Sequence, residues 1–398
     1  MPLLLMLGLA AAIQTPPAGL WDASIEVDGR RVAFRMELDF SRGAVRGAFL
    51  DGERRIWSTS GGLRGNRLEL VWDYFDSRLD AEFVNGELSG AYQRRTKAGL
   101  VRRPFAARPF QPEPAAGEEP AARVAGAWRI RTNATRGVNV MNGYFAQSGP
   151  LVSGTIQRLD GDFGTLSGRV SGRRLTLSHF DGVRATLIEA ELLPDGTLKG
   201  VIDGKTEFTA ARIEDAARLG LPEPPDPSRY VSVKNPLEPV QFRAVDLDGR
   251  PVSSSDPRFR GKAMIVTIMG SWCPNCHDEA ELLVELDRRY RSQGLEIVAL
   301  GFEYTGESER DRNQLRAFAR RHGIEYTVLY AGTTDEGEVQ RVLPQLANFS
   351  SYPTTLFLDR SHRVRSVHAG FAGPANAAEH ARLREEFEKL AREILASR

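Results

Sequence analysis

Apolar and polar residues are patterned in two different ways along the chain. Between about residues 20 and 213 they alternate with period two in short runs such as 32–40, interrupted by Asp-Gly and Gly-Asn turns. That alternation predicts half-buried strands joined by tight turns, an all-β meander. Beyond about residue 236 the pattern changes. The run 262–269 is almost continuously apolar and rich in β-branched residues, as a strand buried on both faces requires. It is followed by helical spacing at Ala280, Leu282, Leu283, Leu286 and Tyr290. Strand-like runs then recur at 295–301, 326–330 and 363–368. Helical stretches fall at 311–322, at 336–346 (where Pro344 ends or kinks the helix) and at 378–395. Strands alternating with helices indicate a layered α/β domain.

The β-rich part is duplicated. Residues 61–70, Gly-Gly-Leu-Arg-Gly-Asn-Arg-Leu-Glu-Leu, recur as 167–177, and Tyr74-Phe75-Asp76 matches His179-Phe180-Asp181. Asn85-Gly86 matches Asp195-Gly196, Phe105 matches Phe208, and Trp21 and Trp128 open the copies. The repeats span 20–110 and 123–213, with a Pro-, Ala- and Glu-rich linker at 111–122 between them. A single meander leaves exposed edges, so two repeats are expected to build a barrel or sandwich. A second proline-rich linker, 214–235, is expected to act as a semi-rigid spacer to the domain at 236–398. The favoured role of the β region is a docking or spacer module. The rival is a ligand-binding barrel with Trp57, Trp72, Tyr74 and Phe75 on a sugar or lipid site, against which core packing is the simpler account of these rings.

Charge narrows the function classes. The 53 basic and 52 acidic residues leave a net charge of +1, which argues against nucleic-acid binding or a polybasic membrane patch. No Gly-rich phosphate loop precedes a helix, so no nucleotide is expected as cofactor or partner. Residues 1–12 form an apolar start ending in small residues, a signal peptide with a cut after Ala12, although the usual basic n-region is missing.

The chain holds only two cysteines, both in Gly270-Ser271-Trp272-Cys273-Pro274-Asn275-Cys276. The motif lies where the 262–269 strand gives way to a helix, and Pro274 suits a first helical turn. Free amide groups and the helix dipole at that place would stabilise a thiolate at Cys273. Thiol economy also suits an oxidising compartment. Four readings compete. With His277 the motif is formally Cys-x-x-Cys-His, a haem-attachment pattern. A zinc site needs two more ligands, and six histidines lie scattered. A structural disulfide across so small a loop stabilises little. A redox dithiol is the fourth. The downstream α/β alternation weighs against a c-type cytochrome.

With these residues in view, about 236–398 resembles a thioredoxin-fold domain of the TlpA/ResA class of thiol-disulfide oxidoreductases. The resemblance rests on Trp272-Cys273-Pro274-Asn275-Cys276, the 295–301 strand, and Tyr352-Pro353-Thr354-Thr355 before a strand ending at Asp359. The strand-helix piece at about 326–346 is similar to the insertion that marks this class. The fold class implied is multidomain: a C-terminal α/β thioredoxin-like domain behind an all-β region of two repeats.

The resemblance implies an exposed nucleophile at Cys273, a buried resolving thiol at Cys276, a redox-active disulfide between them, and a cis-proline at Pro353. Tyr352 would offer its backbone to an extended substrate, with Trp272, Pro274, Asn275 and Thr354 completing the docking surface. Glu303 would exchange a proton with Cys276, with Glu307 as rival. His277 would either lend charge to the helix start or lie at the surface. No metal or bound cofactor is implied. The function implied is an exported protein-disulfide reductase, periplasmic or held at the membrane by an uncleaved signal segment. It would act on protein thiol and disulfide clients and take electrons from a membrane thiol donor. Two alternatives stand beside it. One is a non-enzymatic envelope binding protein, against which intact Cys273, Cys276 and Pro353 argue. The other is a thioredoxin-fold peroxidase, for which the Thr-x-x-Cys context is missing.

Overall fold

A computed structural model describes residues 15–112, 122–135 and 137–397. The signal-peptide reading of 1–12 and most of the 111–122 linker fall outside the described residues. Among those described, no helix is long and apolar enough to cross a membrane.

Each β repeat makes its own antiparallel sheet of nine strands; the two do not merge into one barrel. The strand order is the same in both. In the first, Gly19–Val27 pairs on one side with Arg30–Asp39 and on the other with Gly99–Pro109. In the second, Gly126–Thr132 pairs likewise with Val140–Ser148 and Thr206–Arg212. The copies differ at one ladder. Leu151–Arg158 pairs with Leu166–Ser171 and closes eight strands into a barrel, which removes the free edges. The corresponding strands of the first repeat, Arg46–Asp51 and Ser60–Arg64, share no ladder. The sheet stays open there, and the Arg46–Asp51/Arg54–Trp57 hairpin ends with the Ser58 N–H donating to the Gly47 carbonyl at 2.7 Å. The opening tryptophans repeat as well: Trp21 and Trp128 are both fully buried, and each donates its indole N–H to the carbonyl four residues earlier. Trp72, Tyr74 and Phe75 are core residues, as expected of a packed sheet rather than an open sugar or lipid site.

The C-terminal part holds a seven-stranded mixed sheet. Its order is Pro251–Ser253, Arg243–Asp246, Thr327–Thr333, Leu295–Glu303, Ala263–Met269, Thr354–Leu358, Val364–Ala369. Ala263–Met269, Leu295–Glu303 and Thr327–Thr333 run parallel, and Thr354–Leu358 is antiparallel to the first of them. Ala263–Met269 is buried along its whole length, as its unbroken apolar pattern requires. Helices Pro274–Tyr290, Ser308–His322 and Ala377–Ala396 contribute to one core with Ile265, Ile297 and Phe357. Phe242, Phe259 and Val339 pack in a second core with Met264 and Val266. The helix expected over 336–346 is shorter, Glu338–Val342, and stops ahead of Pro344.

The expectation of a spacer at 214–235 is corrected. The segment is docked: Arg129 donates to the Pro222 carbonyl at 2.7 Å. The β region lies directly on the α/β domain. Arg310 pairs with Asp76, Gln314 donates to the Asp73 carbonyl at 2.9 Å, and Lys97 pairs with Asp335 at 2.9 Å. A proline-rich composition stiffens a segment but says nothing of what it lies against.

Candidate active site

The strand Ala263–Met269 runs into Gly270, where a Cβ would stand 2.3 Å from the Trp272 indole nitrogen; only glycine permits that approach. Cys273 is extended at φ −99°, ψ 115° and caps the helix Pro274–Tyr290, with Pro274 at its first position. The amides of Cys276 and His277 donate to the Cys273 carbonyl at 3.1 and 3.3 Å, closing the first turn. Both cysteines are free thiols. Burial pushes the Cys276 thiol well up, and the neighbouring Cys273 adds to the effect.

Several expected residues meet here. The Tyr352–Pro353 peptide is cis. The Cys273 thiol donates to the Tyr352 carbonyl at 3.5 Å. Trp272 donates to the Phe302 carbonyl at 2.9 Å, stacks on Tyr304 at 4.8 Å and meets Tyr352 edge-on at 5.1 Å. Trp272, Pro274 and Tyr352 remain partly exposed.

Four expectations need correction. Cys273 is not exposed: it is 5 % accessible, against 2 % for Cys276. Asn275 is buried too, because its side chain donates to the Asp160 carbonyl of the second β repeat at 2.7 Å. Thr354 is fully buried, with its hydroxyl donating to the Ser351 carbonyl at 2.8 Å, so it offers nothing to a docking substrate. His277 is neither superficial nor charged. It sits between the rings of Phe75 and Phe318, bonds the Ser271 carbonyl at 2.8 Å and His322 at 2.7 Å, and burial lowers its pKa to about 3.

Glu303 is buried at the end of its strand and accepts from the Ser271 amide and hydroxyl, each at 2.8 Å. Burial raises its pKa to about 8 despite these bonds. Glu307, the rival, is exposed. A second buried carboxyl, Glu279, was not foreseen. It accepts from Thr267 at 2.6 Å and Thr355 at 2.5 Å, and burial raises its pKa to about 7. It lies one helical turn beyond Cys276 and is among the charges that raise that thiol. Its sequence signal is its place in the stripe Cys276, Glu279, Leu283, Leu286, Tyr290, all buried. Among the described residues no His, Cys, Asp and Glu cluster is arranged to hold a metal ion.

The arrangement joins a dithiol at a helix start to two carboxyls that hold or release a proton near neutral pH, the requirement for moving protons between thiols. Residues 232–381 match the Redoxin family model. The chain is 26% identical over 142 residues to the thioredoxin-like protein YneN of Bacillus subtilis, covering 36% of this chain and 75% of that protein. It is 26% identical over 139 residues to the thiol-disulfide oxidoreductase ResA of Geobacillus thermodenitrificans, covering 35% and 71%. A thiol:disulfide interchange protein of the thioredoxin family from Chlorobium tepidum is similar at 21% identity and a TM-score of 0.31, over 42% of this chain and 100% of that one. The C-terminal domain of this chain carries a Redoxin match and is similar to the TlpA/ResA-like thiol-disulfide oxidoreductases of thioredoxin fold.

Proposed function

We propose that the chain is an exported protein-disulfide reductase. The observation that carries the chemistry is the buried Cys276 thiol one turn from the carboxyl of Glu279. Cys273 attacks one sulfur of a client disulfide as a thiolate. The client S–S bond breaks, a mixed disulfide forms, and one client sulfur leaves with the electron pair and takes up a proton. Cys276 then loses its proton and attacks the Cys273 sulfur. The second client thiol is released and the Cys273–Cys276 disulfide forms. The client gains two electrons, and the pair loses them.

Burial makes the Cys276 proton hard to lose to water, so a nearby base is needed. Glu279 is the acceptor we favour, and Glu303, which also binds the turn at Ser271, is the alternative. Pro353 and Tyr352 lie beside Cys273 and form the client-docking edge, with Trp272 on the flank. Thiol economy supports an oxidising compartment. A dithiol donor, such as a membrane thiol transporter, would restore the reduced pair.

Two measurements test this reading. Cys276→Ser is expected to trap mixed disulfides with clients, and Cys273→Ser to trap none; equal trapping by both removes the assignment. The potential of the pair is expected near the thioredoxin value of about −270 mV, whereas one near −120 mV makes the protein an oxidant.

A further inference from the structure

The two repeats touch the dithiol helix through corresponding turns. In the first repeat, the turn between Arg46–Asp51 and Arg54–Trp57 brings Arg54 onto Asp278 and, at 3.0 Å, onto Glu281. In the second, the turn between Leu151–Arg158 and Gly161–Asp162 lies over Asn275 and the loop at Phe371. This second contact combines backbone pairing with the Asn275 side chain and buried Leu159. Gly161 forms a parallel bridge with Phe371, and the Phe371 amide donates to the Asp160 carbonyl at 3.3 Å. Two glycines allow it. A Cβ on Gly161 (φ +127°) would stand 2.2 Å from both the Asn275 amide nitrogen and the Phe371 carbonyl. A Cβ on Gly370 (φ +74°) would stand 2.2 Å from the Leu159 carbonyl. The turn therefore lies against the loop at Phe371, which shares a core cluster with Cys273, a residue 5 % accessible.

The contact is also poorly sealed. The Asp278 and Asp162 carboxylates converge on Gly373, where a Cβ would be 2.5 and 3.2 Å from one oxygen of each. The Asp162 oxygen there is buried without a hydrogen-bond partner. Asp162 faces the Asp278 carboxyl, whose partner is Arg54. The turn is held by Leu159, which packs into the α/β core, and by polar bonds that add only modest stability each.

We propose that the turn at 159–162 is a displaceable cap. It occupies the edge beside Cys273 that an extended client segment would use, and protein disulfides reach the dithiol only when it lifts. The biological meaning rests on the dithiol reading, but access to Cys273 can be measured without turnover, so failure of one is distinguishable from failure of the other.

The test is alkylation of the full chain in the Cys276→Ser background, with iodoacetamide and with a polymer-bearing maleimide, alongside amide exchange at Phe371. Gly161→Ala should speed the bulky reagent by about tenfold or more, and iodoacetamide less, because the added methyl holds the cap off. Phe371 should exchange slowly in the parent and quickly in Gly161→Ala. If Gly161→Ala fails to fold, Asn275→Ala, which removes the bond to Asp160, should show the same direction. A parent that the bulky reagent labels as fast as the variants, or whose Phe371 amide is unprotected, overturns the cap.

Discussion

Glu279 and Glu303 both carry raised pKa values, with burial as the leading cause, yet they are held differently. Glu279 is bound by two threonine hydroxyls, which can turn to donate or accept as the carboxyl gains or loses its proton. Glu303 is bound partly by the Ser271 amide, which can only donate. A group that must cycle its proton is better served by the first setting. Glu279→Gln is expected to slow resolution of a preformed mixed disulfide by ~10- to 100-fold, with attack by Cys273 little changed. Glu303→Gln keeps an oxygen for the Ser271 amide while the Ser271 hydroxyl turns to accept, so it should leave resolution near the parent rate and cost about 1 kcal/mol of stability or less by denaturant midpoint. Single-turnover rates decide: if Glu303→Gln slows resolution and Glu279→Gln does not, the proton has been placed on the wrong residue. The cysteines and Pro353 were legible in sequence because their rarity and order are distinctive. Glu279 was not, because Asp278, Glu279 and Glu281 read as one solvated charge run until the helix is phased on Cys276.

At the scale of elements, the duplication was legible from turn residues at matching offsets, because turns need glycine, asparagine or aspartate for local reasons. Closure of one sheet and not the other was illegible. It depends on which distant strands meet, and both copies carry the same local pattern. The cap belongs to this scale and has a pH dependence of definite sign. Burial raises the Asp162 pKa to about 6, with Asp278 the next cause. From the dithiol helix Asp162 faces Asp278 and His277. From the first repeat it faces Asp51, Arg54 and Tyr74, and from its own repeat Asp181 and Arg184, with His179 against Gly164. Arg321 and His322 complete the wall from the helix Ser308–His322. The closed form binds the Asp162 proton more tightly than the open form. Its stabilisation is therefore full below the ordinary carboxylate range, near 3.8, and lost as pH rises through about 6. Asp162→Asn keeps an oxygen for the Gly164 amide but stays neutral. The ratio of parent to Asp162→Asn alkylation rates at Cys273, in which thiolate fraction cancels, should rise through about pH 6. A flat ratio removes Asp162 from control of the cap.

For the whole molecule, two modules were legible and their embrace was not. Arg54, Asp76, Asp160 and Arg310 are ordinary surface residue types, and nothing in their spacing marks an interface. The α/β domain has a core on each face of its own sheet. Among the described residues the β region adds only Leu159 and Val138 to one of them and covers Ala317, its other contacts including ion pairs and single hydrogen bonds. Exposed pairs of that kind are worth at most about 1 kcal/mol each. Residues 230–398 alone should therefore fold, with Cys273 open to bulky reagents. The more telling signal is His277. In the full chain Tyr74 and Phe75 of the first repeat close over the His277–His322 pair, and loss of hydration holds both imidazoles neutral, with pKa values lowered to about 3 and 2. Without those rings water reaches the pair from one side, while Phe318 still covers the other. The fragment's imidazole resonances should titrate with pKa values moved up toward the free value of about 6.5, while those of the full chain stay flat above pH 5. A fragment that folds and keeps both histidines neutral would show that the α/β domain alone buries them. A fragment that does not fold would make the β region part of one obligate core, and the cap a fixed wall rather than a gate.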